Sequence, residues 1–216
     1  MNGKLALVVI LTFVSVSIAL SFSGGWQNEY IASAPLGGSP TPTPSPGLSG
    51  TISYDNATGP PLPLPISGVT ITCQGAQASV TAINFPNGDY WLDTSAIGPG
   101  PYIVTLSKTG GANGITAFDA ARVAQFGRFP WDPGPMPTNL FIAANVTGTG
   151  QLSSFDSAAI AKYAVGLPNT SLTGTWAFVP ASRTYESIDT HISGQDFAAI
   201  LRGEVTGDWV NTLPRQ

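Results

Sequence analysis

Ile115-Thr116-Ala117-Phe118-Asp119-Ala120-Ala121-Arg122-Val123-Ala124-Gln125-Phe126 returns as Leu152-Ser153-Ser154-Phe155-Asp156-Ser157-Ala158-Ala159-Ile160-Ala161-Lys162-Tyr163, without a gap and at a constant offset of 37. Phe, Asp and two Ala are identical, and most other pairs are conservative. Apolar residues at 115, 118, 123 and 126, and again at 152, 155, 160 and 163, place one stripe on a short amphipathic helix in each copy. Thr116-x-x-Asp119 and Ser153-x-x-Asp156 have the spacing of a capping box, in which hydroxyl and acid satisfy the orphan N–H groups of a first helical turn.

Ahead of the second copy stands Asn145-Val146-Thr147-Gly148-Thr149-Gly150-Gln151-Leu152-Ser153-Ser154-Phe155-Asp156. Side-chain oxygens at positions 1, 3, 5, 9 and 12, with Gly at 6, follow the spacing of an EF-hand-type calcium loop. The duplicated loop and helix, with its Phe-Asp-x-Ala core, resembles a type I dockerin domain over residues 108–209. Gly203-Glu204-Val205-Thr206-Gly207-Asp208-Trp209 looks like the tail of that group. The resemblance implies calcium ligands at Asn145, Thr147, Thr149, Gln151 and Asp156. It also implies docking on a cohesin-like protein domain through Ala117, Gln125, Ser154 and Lys162. The loops depart from the family pattern, which has Asp at positions 1 and 5 where this chain has Asn145 and Thr149. One carboxylate, Asp156, remains, so the expectation is a weak Ca2+ site at the second loop only. Counting back from Asp119 puts Lys108, Gly110 and Ala112 at the ligand positions of the first loop, where no cation site forms without a gap.

From Ser49 to Ser107 the signals are short strands: Thr51–Tyr54, Val69–Cys73, Val80–Ile83, Tyr90–Leu92 and Tyr102–Leu106 are β-branched or aromatic. Between them lie Gly59-Pro60-Pro61, Asn87-Gly88-Asp89 and Gly98-Pro99-Gly100-Pro101, which are turn chemistry. This spacing reads as a small β-sandwich. Ser49-Gly50-Thr51-Ile52, Ile66-Ser67-Gly68-Val69-Thr70-Ile71 and Asn87-Gly88-Asp89-Tyr90 resemble carboxypeptidase-regulatory-like and Cna B-type modules. The first strand has no Lys, so the internal isopeptide bond of some Cna B-type modules is not expected. The expected fold class is mainly β with a small α part: an Ig-like (transthyretin-like) β-sandwich at 49–107, a dockerin-like duplicated loop–helix domain at 108–209, and a tail at 210–216.

Residues 1–23 carry Lys4 and then sixteen uncharged residues from Leu5 to Leu20, which fit a signal peptide or a retained N-terminal anchor. Residues 24–48 include Pro35-Leu36-Gly37-Gly38-Ser39-Pro40-Thr41-Pro42-Thr43-Pro44-Ser45-Pro46-Gly47, a Pro/Thr/Ser linker favouring extended polyproline II. A secreted or cell-surface protein follows, touching membrane only through an uncleaved leader.

Only 9% of the 216 residues are charged, with 8 cations against 12 anions. No phosphate-binding footprint exists in that composition, which argues against nucleic acid. One Cys and one His exclude an intrachain disulfide framework and multi-His zinc. Catalysis finds little footing: His191 stands near Asp189 without a Gly-x-Ser-x-Gly, and Asp93-Thr94-Ser95 has no second copy. The reading is a non-catalytic docking protein. A structural subunit that packs on copies of itself in an extracellular filament or coat is the alternative. A carbohydrate-binding module using Trp91, Trp131, Trp176 or Trp209 is a second one.

Overall fold

The computed structural model describes residues 45–56, 64–126 and 136–212. The leader, the linker as far as residue 44, and Trp131 lie outside them. Among the described residues the protein is mainly β with three helices. In chain order these are β1 (Gly47–Tyr54), β2 (Leu64–Pro65), β3 (Thr70–Gln74), β4 (Ser79–Ile83), β5 (Asp89–Asp93), β6 (Tyr102–Ser107), α1 (Ala117–Phe126), α2 (Thr138–Ala144), α3 (Ser154–Ala164), β7 (Trp176–Val179), β8 (Ser182–Tyr185), β9 (His191–Ile192) and β10 (Phe197–Leu201).

Two sheets share one core. Along β3, β5 and β6 the side chains alternate, with Ile71, Cys73, Tyr90, Leu92, Tyr102 and Val104 turned inward. One sheet runs β4-β3-β6-β8, antiparallel throughout. The other is built on β1, whose first half pairs with β5 and β9 and whose second half pairs with β2 and β10. The β1–β10 pairing is parallel, with Ile52 opposite Phe197 and Tyr54 opposite Ala199. β7 closes the edge beyond β10, antiparallel to it.

β10 is apolar at every position because both its faces are covered. Phe197, Ala199 and Leu201 enter the core between the sheets, while Ile200 packs with Val123, Leu140, Ala143, Ile160 and Val205 beneath the helices. Each fully buried Val, Leu or Ile there contributes about 1.5–3 kcal/mol. A strand of alternating pattern could not serve both layers.

The strand pairings cross the boundary expected at 107/108. β8 extends the sheet of β6, β10 joins β1, and Phe178, Ile188, Phe197, Leu201 and Trp209 lie in the same core as Leu48, Ile52 and Ile71. Residues 108–209 therefore hold a cluster of their own beneath the helices and also supply strands and side chains to the first core. The helices are an insertion between β6 and β7, and the chain then returns to finish both sheets. The physical reason is β1 and β6: each has a buried apolar face and a free edge that only the later strands cover.

Candidate docking face and the closed loops of the helix pair

α1 and α3 pack on each other, and Ser157 Oγ donates to the Ala120 carbonyl at 2.8 Å. Ala120 and Ser157 are equivalent positions of the two copies, and contact between equivalents is what a local two-fold axis between the helices produces. Small residues at the crossing let the helices approach, with Val123 and Ile160 buried behind them. The stripe expected from the sequence holds only in part. Phe118 and Phe155 stay 61% and 76% exposed, because they stand in the first turn, ahead of the crossing.

The two acids are buried and fully used. Asp156 Oδ2 accepts the Ser153 amide at 2.9 Å and the Ser153 hydroxyl at 3.1 Å. Its Oδ1 accepts the Thr147 amide at 2.9 Å and hydroxyl at 2.7 Å. Asp119 repeats the arrangement, taking the amide and hydroxyl of Thr116 on Oδ2 and the Val205 amide and Thr206 hydroxyl on Oδ1. Both carboxylates are 0% exposed. The capping boxes are present: Ser153 Oγ and Thr116 Oγ1 accept from the amides of Phe155 and Phe118.

The loop facing α1 is thus Glu204–Asp208, from the far end of the chain, and not the residues that precede the helix. Lys108, Gly110 and Ala112 sit elsewhere. Gly110 and Gly111 carbonyls accept the indole N–H groups of Trp176 and Trp209, and Lys108 Nζ donates to Ser67 O. A sequence signal for this existed: Val146-Thr147-Gly148 recurs as Val205-Thr206-Gly207. Gly148 and Gly207 both take positive φ, 71° and 84°, which turns each loop over its aspartate.

The expected calcium ligands come together around a closed loop. Thr147 and Thr149 hydroxyls lie 3.3 Å apart, Thr149 Oγ1 donates to the Gln151 carbonyl, and Asn145 Oδ1 is buried without a partner. Calcium takes 6–8 oxygens and needs charge among them. Here the single carboxylate has its four acceptor positions filled by N–H and O–H donors. The donor set does not fit Ca2+. In the Glu204–Asp208 loop Glu204 stands where Asn145 stands ahead of α3. Its Oε1 accepts the amides of Thr206, Gly207 and Asp208 at 2.9, 2.5 and 3.0 Å, and its Oε2 takes the Tyr54 hydroxyl. Burial holds the Glu204 carboxyl above the ordinary glutamate range, with those amides pulling the other way.

Ala117, Gln125, Ser154 and Lys162 are all exposed, and Ala117 and Ser154 adjoin the two exposed phenyl rings. Beside Phe155 and Lys162 a cavity of about 320 Å3 is lined also by Ala158, Pro168 and Thr170. The tryptophans divide: Trp209 is buried against Tyr54, Trp176 packs edge-on to both, and Trp91 is 44% exposed. His191 sits on β9, with Nε2 2.9 Å from Ser49 Oγ, while Asp189 accepts from Ser187. No acceptor reaches His191 Nδ1 among the described residues, so Ser49 and His191 lack the third member of a triad.

Comparison of the chain with family models, with curated proteins and with solved structures returns no match.

Proposed function

We propose that this is a non-catalytic secreted or cell-surface protein whose α1–α3 pair docks on a protein partner of the cohesin type. The helix pair with its two capped loops is read as dockerin-like, and the two sheets as an Ig-like, transthyretin-like sandwich carrying it. The observation behind the reading is the pair Phe118 and Phe155, exposed at equivalent positions, each beside a residue expected to touch a partner. Exposed aromatic side chains on a rigid element are the usual anchors of an interface. The hydrogen-bonded loops hold the helices without a cation.

A titration of the whole chain with a cohesin-type domain tests this by calorimetry. One-to-one binding that weakens about tenfold or more in Phe155→Ser or Lys162→Glu supports docking. No heat in the wild-type protein sinks it.

One observation favours self-assembly as a second reading. The outer face of the four-stranded sheet carries Thr70, Thr72, Thr81, Ile83, Ile103 and Thr105 without a charge, and β4 has one edge unpaired among the described residues. Uncharged, open strand edges add strands from other chains. Electron microscopy of concentrated protein decides it: filaments support assembly, and monodisperse single particles remove it.

A further inference from the structure

The outer face of β1, β5 and β9 gathers sugar-binding chemistry away from the helices. Register places Ser49 opposite Trp91 and Thr51 opposite Asp89, with His191 on the other side of β1. The Trp91 indole reaches across Gly47, where a Cβ would stand 3.5 Å from it, and stacks on the His191 ring with centroids 4.4 Å apart. His191 is held in turn by Ser49. An indole braced in this way on a sheet has little conformational freedom left to lose, yet it remains 44% exposed.

In the adjoining row, Asp196 Oδ1 accepts the Thr51 amide at 2.8 Å and hydroxyl at 3.0 Å, and Asp89 Oδ2 accepts from Asn87. The second oxygen of each carboxylate has no donor among the described residues. Both acids, with Ser49, Thr51 and Tyr90, line a cavity of about 390 Å3. The close pass of Gln195 over Gly50 shapes its floor: a Cβ on Gly50 would meet the Gln195 backbone at 2.6 Å.

We propose that this face binds two neighbouring pyranose units of a neutral glycan. The apolar C–H face of one ring lies on Trp91, and hydroxyls of the next unit, in the cavity beside it, donate to the free oxygens of Asp89 and Asp196 and exchange hydrogen bonds with Ser49 and Thr51. Arg183 donates to the Asp196 backbone carbonyl, and no ion pair joins it to either carboxylate among the described residues. Two unneutralised carboxylates therefore reject uronic or other acidic sugars. The site is separate from the α1–α3 pair, so protein docking and sugar binding stand or fall independently.

Calorimetric titration of the full chain with cellohexaose, xylohexaose, mannohexaose and maltohexaose, and with an oligogalacturonate, tests it. At least one neutral sugar is expected to bind saturably, and the oligogalacturonate is not. Trp91→Ala should weaken that binding about tenfold or more, Trp91→Phe should restore most of it, and Asp89→Asn should weaken it several-fold. Near-ultraviolet circular dichroism checks that each variant keeps the fold, and Asp89→Asn carries the test if Trp91→Ala does not. Silence with all four neutral sugars, equal binding of the acidic one, or binding indifferent to the folded variants overturns the proposal.

Discussion

Asp119 accepts the backbone N–H of Val205 at 2.8 Å although the two residues stand 86 positions apart in the chain. With its other oxygen it caps α1 through Thr116, so one carboxylate joins the start of the helix to the last loop of the protein. Asp156 does the same work with partners only 3 and 9 residues away. The same four-donor shell is therefore local in one copy and closes a long stretch of chain in the other.

Replacing either acid by Asn halves its acceptors and turns an amide NH2 toward donors. Asp119→Asn and Asp156→Asn should each lose about 2–4 kcal/mol of stability, since buried donors are left unmade. Hydrogen exchange distinguishes them: Val205 loses protection in the first variant and Thr147 in the second. A loss below about 0.5 kcal/mol in denaturant melts would show that the shells do not matter.

The fragment 45–107 should not fold alone. Its β1 lacks β9 and β10 and its β6 lacks β8, leaving Ile52, Tyr54 and Val104 without a third of the buried residues of their core. Circular dichroism of the fragment should show no cooperative thermal transition, whereas the full chain has one. A folded fragment would restore the boundary at 107/108.

Period-two strands between residues 49 and 107 and the duplicated helix motif were readable because each is a local pattern. So were the capping boxes, where Thr116 and Asp119 are neighbours by helix geometry. What local pattern cannot show is that β10, at Phe197–Leu201, slots in parallel beside β1, or that the loop serving Asp119 arrives from Glu204–Asp208. Both depend on which distant edge or acid lacks a partner. Phe118 and Phe155 misled for a related reason: helical period gives the stripe but not the point where a second helix crosses it. Trp91 looked like three other tryptophans until its place on β5 turned it outward, whereas Trp209, beyond β10, is buried in the core.

Cys73 should be inert in the native state. It is buried between the sheets, and desolvation pushes its thiol up to about 11, so little thiolate forms near neutral pH. Ellman's reagent should find no thiol in folded protein and one after guanidinium unfolding. Fast native reaction would mean that β3 opens.

Glu204 predicts a pH dependence with a definite sign. Burial raises its folded-state pKa above the ordinary value of 4.5, so the folded chain holds the proton more tightly than the unfolded one. Its protonated form favours folding below that ordinary value, and the advantage is lost as pH rises through the folded value. Urea midpoints of the wild type should fall across this window, with Glu204→Gln showing a flatter profile. A wild-type midpoint that rises there, beyond any rise in the variant, would mean that the amides of Thr206, Gly207 and Asp208 outweigh burial.

Calcium should leave the protein nearly indifferent. A ligand that binds only the native state stabilises it by RT ln(1 + [L]/Kd), about 2.7 kcal/mol at one hundred times Kd. With Asp156 saturated by Thr147 and Ser153, binding must first break hydrogen bonds that already stabilise the loop. Millimolar Ca2+ or a chelator should therefore shift the melting temperature by less than about 2 °C, well under 1 kcal/mol. The double variant Asn145→Asp, Thr149→Asp restores acids at the first and fifth loop positions, where Asn145 Oδ1 already points without a partner. Its melting temperature should rise with Ca2+ while the wild type stays level. A wild-type rise as large as the variant's would show that the loop opens for the cation and that Asp156 can exchange its donors for a metal.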